Sequence, residues 1–201
     1  MTFLDAFLFP AEVGNNTTMK FYSQDKGNAA IKHYKETLDG TWELANTSYA
    51  SRNSSFTFSN KYTGFTVAKY STNNQQWYDC SPSRTVDYSN ALYVRHRRNS
   101  YTLDYYNTAG VVKSESVKYE QNLSGYAGYV PGRPNGLEDY YEFLGWYKDP
   151  ECTEVFDFNQ IMPANNLVVY AKWAPKQVTV TFDLNAGESV ASIVPQTFDA
   201  G

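Results

Sequence analysis

Three short stretches decide the fold: Phe143-Leu-Gly-Trp-Tyr147, then Met162-Pro-Ala164, then Leu167-Val-Val-Tyr-Ala-Lys-Trp173. The first and last are strands by composition, because aromatic and β-branched side chains suit a pleated, half-buried surface. Between them Pro150, Pro163 and Asn165-Asn166 break any regular element, since proline lacks the amide donor and asparagine favours turns. Upstream, Tyr101, Leu103 and Tyr105 alternate with Thr102, Asp104 and Tyr106, which puts every second side chain on one face of a strand. A further strand is expected over residues 112–119. Residues 125–136 are crowded with glycine and proline and read as loop, and Leu137-Glu-Asp-Tyr-Tyr141 as one helical turn. Residues 101–174 thus form a unit of four strands with at most one short helix.

That unit recurs. Tyr101-Thr-Leu-Asp-Tyr-Tyr-Asn-Thr-Ala-Gly110 and Val178-Thr-Val-Thr-Phe-Asp-Leu-Asn-Ala-Gly187 both run from an alternating strand into a glycine turn, 77 residues apart. Ile31-Lys-His-Tyr-Lys-Glu-Thr-Leu-Asp-Gly40 has the same layout 70 residues before the first of these. Tyr62-Thr-Gly-Phe65 answers Tyr140-Tyr-Glu-Phe143, and Ala91-Leu-Tyr-Val-Arg95 answers Leu167-Val-Val-Tyr-Ala171. A fixed period makes the repeat the folding unit. The expected division is residues 31–98 and 101–174 as two whole units and 178–201 as the truncated start of a third. Residues 1–30 either complete the first unit or belong to a preceding domain. Asn99-Ser100 and Ala174-Pro-Lys176 are the joints, both very short.

With 18 Tyr, 12 Phe and 4 Trp among 201 residues, the chain is biased toward β-structure. A unit of this size buries only about 60% of its unfolded surface, and large flat side chains are a compact way to fill so thin a core. A formal net charge of -4 gives no reason to approach a polyanion, so nucleic acid is not an expected partner. No run approaches the ~20 apolar residues of a membrane span, so no membrane insertion is expected of this stretch. Arg95-His96-Arg97-Arg98 reads as a solvated linker, with a contact to phosphate or an acidic glycan as the alternative.

The motif set Phe143-Leu-Gly-Trp-Tyr147, Met162-Pro-Ala164 and Tyr170-Ala-Lys-Trp173, followed by Val178-Thr-Val-Thr-Phe-Asp183 and Asn185-Ala-Gly187, resembles the internalin B-repeat family, also called the Listeria–Bacteroides repeat. The likeness covers residues 101–174 and the opening of another copy from 178. Phe143, Gly145, Trp146, Tyr147, Met162, Pro163, Tyr170 and Trp173 are the residues that carry it. Residues 31–98 lack the Trp and the Met-Pro-Ala turn, with Val67-Ala-Lys-Tyr70 near the Trp position, and resemble the related mucin-binding-protein repeats. The resemblance implies a small β-grasp-like fold, recurring in extracellular proteins of Gram-positive and gut bacteria between a functional head and a wall anchor.

Catalysis needs convergent titratable groups. The two histidines, His33 and His96, read as surface strand positions. The carboxylate pairs Glu36/Asp39, Asp139/Glu142 and Glu151/Glu154 have no environment that would set one apart as an acid. Cys80 lacks an adjacent histidine to activate it, and Cys80 and Cys152 have no metal-ligand spacing. No catalytic, cofactor or metal residues are assigned, and the chain is expected not to be an enzyme. Gln75-Gln-Trp77-Tyr78 is the candidate recognition surface, because aromatics beside amides suit a sugar face and its hydroxyls; Trp42 is the second candidate. The expected role is therefore a stalk in an adhesive protein at the bacterial cell surface. The alternative is a module that holds a host glycan, mucin or host surface protein through Trp77, Tyr78 and Trp42. In either case neighbouring repeats of the parent protein are partners.

Overall fold

The computed structural model describes residues 27–81, 85–88, 90–134, 140–180 and 195–199. Among the described residues, seven strands precede Asn99: β1 (Asn28–Glu36), β2 (Trp42–Ser51), β3 (Ser54–Thr57), β4 (Phe65–Ser71), β5 (Tyr78–Asp79), β6 (Thr85–Tyr88) and β7 (Ala91–Arg98). Among the described residues, six follow it: β8 (Ser100–Asn107), β9 (Gly110–Lys118), β10 (Tyr141–Tyr147), β11 (Leu167–Pro175), β12 (Gln177–Val180) and β13 (Gln196–Asp199). The fold is mainly β, as composition and alternation predict. Among the described residues the one helical segment is a 3-10 turn at Ser124–Tyr126, inside the stretch read as loop. The expected turn at 137–141 falls largely outside the described residues, which leave out 137–139; Tyr141 belongs to β10.

Two sheets carry the same plan. One runs β2-β1-β7-β4-β5, the other, read in the same sense, β9-β8-β11-β10. In each, an opening antiparallel hairpin is followed by a crossover that sets the last long strand parallel to the first, β7 on β1 and β11 on β8. This is the β-grasp-like arrangement that the family resemblance implies. The same irregularities recur too: β2 and β9 are bulged opposite His33/Tyr34 and Tyr105/Tyr106, and β4 and β10 at Val67/Lys69 and Phe143/Gly145. The shared bulge sets Val67 in the position of Phe143 and Tyr70 in that of Trp146, two residues later than the pairing of Phe65 with Phe143 read from sequence. The first region departs from the four-strand expectation, with β5 added at the sheet edge and a separate ribbon of β3 and β6.

Each sheet has its own buried cluster on one face. The first gathers Ile31, Phe58, Val67, Tyr70, Leu92 and Val94, the second Leu103, Tyr105, Val117, Leu123, Trp146, Met162 and Val169. The cause is strand alternation: Leu92, Val94, His96 and Arg98 point inward from β7 while Tyr93, Arg95 and Arg97 point out. β7 thus corrects the reading of Arg95 to Arg98 as a solvated linker. The basic run continues a strand between β1 and β4, and two of its four side chains are buried.

The motif residues of the second sheet are placed as the strand reading requires. Trp146 is only 3% exposed and its indole Nε1 donates to the Tyr129 carbonyl at 2.8 Å. Phe143 packs edge-on against Trp146 at 5.3 Å, and Trp173 donates to Asn107 Oδ1 at 3.0 Å. Gly145 occupies the bulge at φ 124°, a conformation that L side chains rarely adopt. Met162 is fully buried, its amide donating to the Gln121 carbonyl and its carbonyl accepting from Glu120, both at 2.8 Å; Pro163 follows directly. Tyr147 lies under the Lys172 ammonium and Tyr170 packs on Tyr106, both half-buried.

Asn99 alone separates β7 from β8, and side chains bridge it. Arg98 Nε donates to the Glu36 carbonyl at 3.0 Å, Nη1 donates to the Tyr119 carbonyl at 2.9 Å, and Nη1 also pairs with Glu120. Its guanidinium lies 4.8 Å from the Phe65 ring, which meets Tyr119 edge-on at 5.8 Å. Lys118 Nζ donates to the Leu38 carbonyl at 3.1 Å. Gly64 sits at φ 75°, and a Cβ there would fall 2.2 Å from the Tyr119 ring. Gly64→Ala therefore meets both backbone strain and a clash across the joint. It is expected to cost about 1–3 kcal/mol, read by denaturant unfolding, with the Tyr119 ring resonances displaced.

The C-terminal strands pair only with each other in the described residues. β12 lies antiparallel to β13 with Val178 opposite Phe198, and Val178, Val180 and Phe198 are exposed.

Candidate functional site

The two aromatic candidates read separately from sequence come together around Arg95, the first residue of the basic run. The guanidinium carbon of Arg95 lies 3.7 Å from the centroid of the Trp77 ring and 4.8 Å from that of Trp42. All three are half-buried on the outward face of the first sheet. Next to them Tyr34 of β1 stacks on Tyr93 of β7 at 6.4 Å and 22°, with the Lys32 ammonium 5.6 Å from the Tyr93 centroid.

Turn chemistry sets the two indoles. Trp42 opens β2 after a tight turn in which the Thr37 amide donates to the Thr41 carbonyl at 2.9 Å, while Asp39 Oδ1 accepts from the Thr41 amide and hydroxyl. The hydroxyl of Thr37 also donates to Asp39, and these hydrogen bonds, that one foremost, hold its carboxyl below the usual value. Trp77 ends a loop organised by one asparagine: Asn73 Oδ1 accepts from the amides of Gln75 and Gln76, each at 2.9 Å, and from Ser71 Oγ at 3.0 Å. That Asx-type turn folds the loop over the sheet and sets Trp77 on Arg95. Tyr78 goes elsewhere. Opposite the buried Tyr70 in the β4–β5 pairing, it packs on that ring at 5.4 Å, so Trp77 and Tyr78 do not form one platform.

Arg95 is held without a polar partner of its own. Its Nε is sealed from solvent and has no acceptor, and among the described residues no carboxylate pairs with it. Burial pulls its pKa below the usual guanidinium value, with Tyr34 acting in the opposite direction.

The histidines are the clearest correction to the sequence reading. His33 and His96 are not surface positions: they are 4% and 0% exposed, and His33 Nδ1 lies 3.0 Å from His96 Nε2. The parallel pairing of β1 with β7 sets them on one inward face, and Tyr62 meets His96 edge-on at 4.9 Å. They border a cavity of about 230 Å³ that Ser48, Thr57, Ser59 and Lys61 also line. Among the described residues no carboxylate lines it. Burial foremost, with Lys61 nearby, lowers both pKa values to about 4. Both rings are therefore neutral near pH 7, one donating and the other accepting. Of the carboxylates weighed from sequence, Glu36 accepts the Arg98 amide and Asp39 holds its turn.

The class defined here is a small mixed β-sheet with a one-sided aromatic core, occurring in two copies of the same strand order. Residues 101–172 match the family model of the Listeria-Bacteroides repeat domain, and the matched stretch spans nearly all of β8 to β11. This family is a repeat module of a non-enzymatic kind. Two curated relatives come from Evansella cellulosilytica. One, named "Putative membrane protein", is 33% identical over 110 residues, covering 54% of this chain and 16% of that protein. The other, named "Putative Gly-rich membrane protein", is 30% identical over 102 residues, covering 51% of this chain and 11% of that protein. The chain thus spans a small part of the relatives it matches. Among the described residues no helix is long and apolar enough to cross a membrane.

Proposed function

We propose that this chain is a non-catalytic stalk region of a bacterial cell-surface protein, in which small mixed sheets recur in series and hold other domains away from the cell. The observation that carries this reading is the repetition of strand order and bulge positions on either side of Asn99. The Arg98 bridge supports it, because a one-residue joint tied by side chains transmits orientation where a flexible linker would not. The family match and the names of the relatives accord with a surface protein. Extracellular location and a part in adhesion belong to the same proposal, as does the division into units at 31–98, 101–174 and 178–201. Small-angle scattering tests it: the radius of gyration should exceed the roughly 17 Å of one compact body of 201 residues. A globule of that compact size would sink the stalk reading.

A second reading, a carbohydrate-binding module for host glycan or mucin, is favoured by the convergence of Trp42 and Trp77 on one arginine at an open sheet face. An indole offers a flat apolar surface to the C–H face of a sugar ring, and Gln75 and Gln76 lie exposed beside Trp77. Trp77→Ala should lower retention on a glycan array at least tenfold. Unchanged retention would remove this reading.

A further inference from the structure

Resting on that second reading, we propose that the Trp42–Arg95–Trp77 face selects sugars bearing a carboxylate. On the same sheet Lys69 is paired with Asp79 at 3.1 Å, and Arg98 has the Glu36 and Tyr119 carbonyls and Glu120 as acceptors. Arg95 is held as firmly, between two indoles, yet has no acceptor of its own among the described residues. A guanidinium fixed in this way keeps its charge, loses little further freedom on binding, and presents a planar fork that matches a carboxylate in two-point contact.

The surroundings narrow the ligand further. Lys32 lies on the same outward face beside the Tyr34–Tyr93 stack, so a second cation stands by a second flat ring. Rings that accept a sugar face and cations that accept its acid group are therefore side by side. A neutral sugar would use the rings and leave the arginine unanswered. A simple polyanion would use the cations and leave the rings unanswered, and the chain's net charge of -4 opposes its long-range attraction.

The test titrates the whole chain with the methyl glycoside of N-acetylneuraminic acid, with D-glucuronate, and with neutral galactose and N-acetylgalactosamine, following the indole N–H resonances. The acidic sugars are expected to bind at least tenfold more tightly than the neutral ones and to shift the Trp42 and Trp77 signals. Arg95→Gln should abolish that preference. Should Arg95→Gln fail to fold, Arg95→Lys, which keeps the charge and loses the fork, should still narrow the preference, as should Lys32→Gln at the rim. Equal binding of acidic and neutral sugars, unaffected at Arg95 and Lys32, would overturn the acid selectivity and leave the carbohydrate reading standing. If no sugar moves either indole, both fall together.

Discussion

Acidification from pH 7 to 4 is expected to destabilise the first sheet by about 3 kcal/mol, while the second sheet stays unaffected by this route. The cause is the His33–His96 pair. Burial, the neighbouring ring and the ammonium groups of Lys61 and Lys35 hold the two pKa values at about 4 in the folded chain, against 6.5 for a solvated imidazole. The unfolded chain therefore takes up protons first as the pH falls. Stability is fully present above 6.5, declines between 6.5 and 4, and levels off below. Each ring alone could account for roughly 3 kcal/mol, but the two share one hydrogen bond, so their losses do not simply add. Among the described residues no carboxylate lines the adjoining cavity to offset the charge. Denaturant unfolding at stepped pH, followed by the fluorescence of Trp42 and Trp77, measures the effect. The double variant His33→Leu/His96→Leu should flatten the profile over this window. A wild-type profile already flat there would show that the buried pair does not govern it.

Trp146→Ala should remove most of the stability of the second sheet. The side chain is buried, lies edge-on to Tyr105 at 4.8 Å, stacks on Tyr129 at 5.9 Å and donates to the Tyr129 carbonyl. Truncating a buried Trp costs about 3–5 kcal/mol, and a core of this size supplies little more than that in total. Because each sheet has its own buried cluster, the loss should stay local. Amide signals of β8, β10 and β11 should collapse, those of β1, β4 and β7 should persist, and the melt should separate into two steps. A single step shifted as a whole would contradict separate cores.

Much of this was legible in the sequence wherever the information is local. The aromatic alternation of 143–147 and 167–173, the Met-Pro-Ala turn and the alternation from Tyr101 fix strands, faces and breaks within a few residues. What escaped depends on contacts across the parallel crossover. His33 and His96 are 63 residues apart, and flanking lysines and arginines made each look like a surface residue until β7 is laid beside β1. The pairing of Arg95 with the two indoles was hidden in the same way: they come from a turn after β1 and a loop after β4, and only the sheet order brings them together. The ribbon of β3 and β6 escaped because four-residue strands carry too short a period to read. The Trp77–Tyr78 pair was read as one surface although adjacent residues of an extended chain point to opposite faces. Alternation alone could have separated them.

The most direct test of a chain built from self-contained units is the amide spectrum of residues 99–175 expressed alone, compared with that of the whole protein. If the unit is autonomous, the signals of Leu103 to Val117, Phe143 to Tyr147 and Val169 to Trp173 should overlay those of the full chain, with differences confined to residues near Arg98, Tyr119 and Glu120. A poorly dispersed spectrum, typical of an unfolded or molten chain, would contradict it.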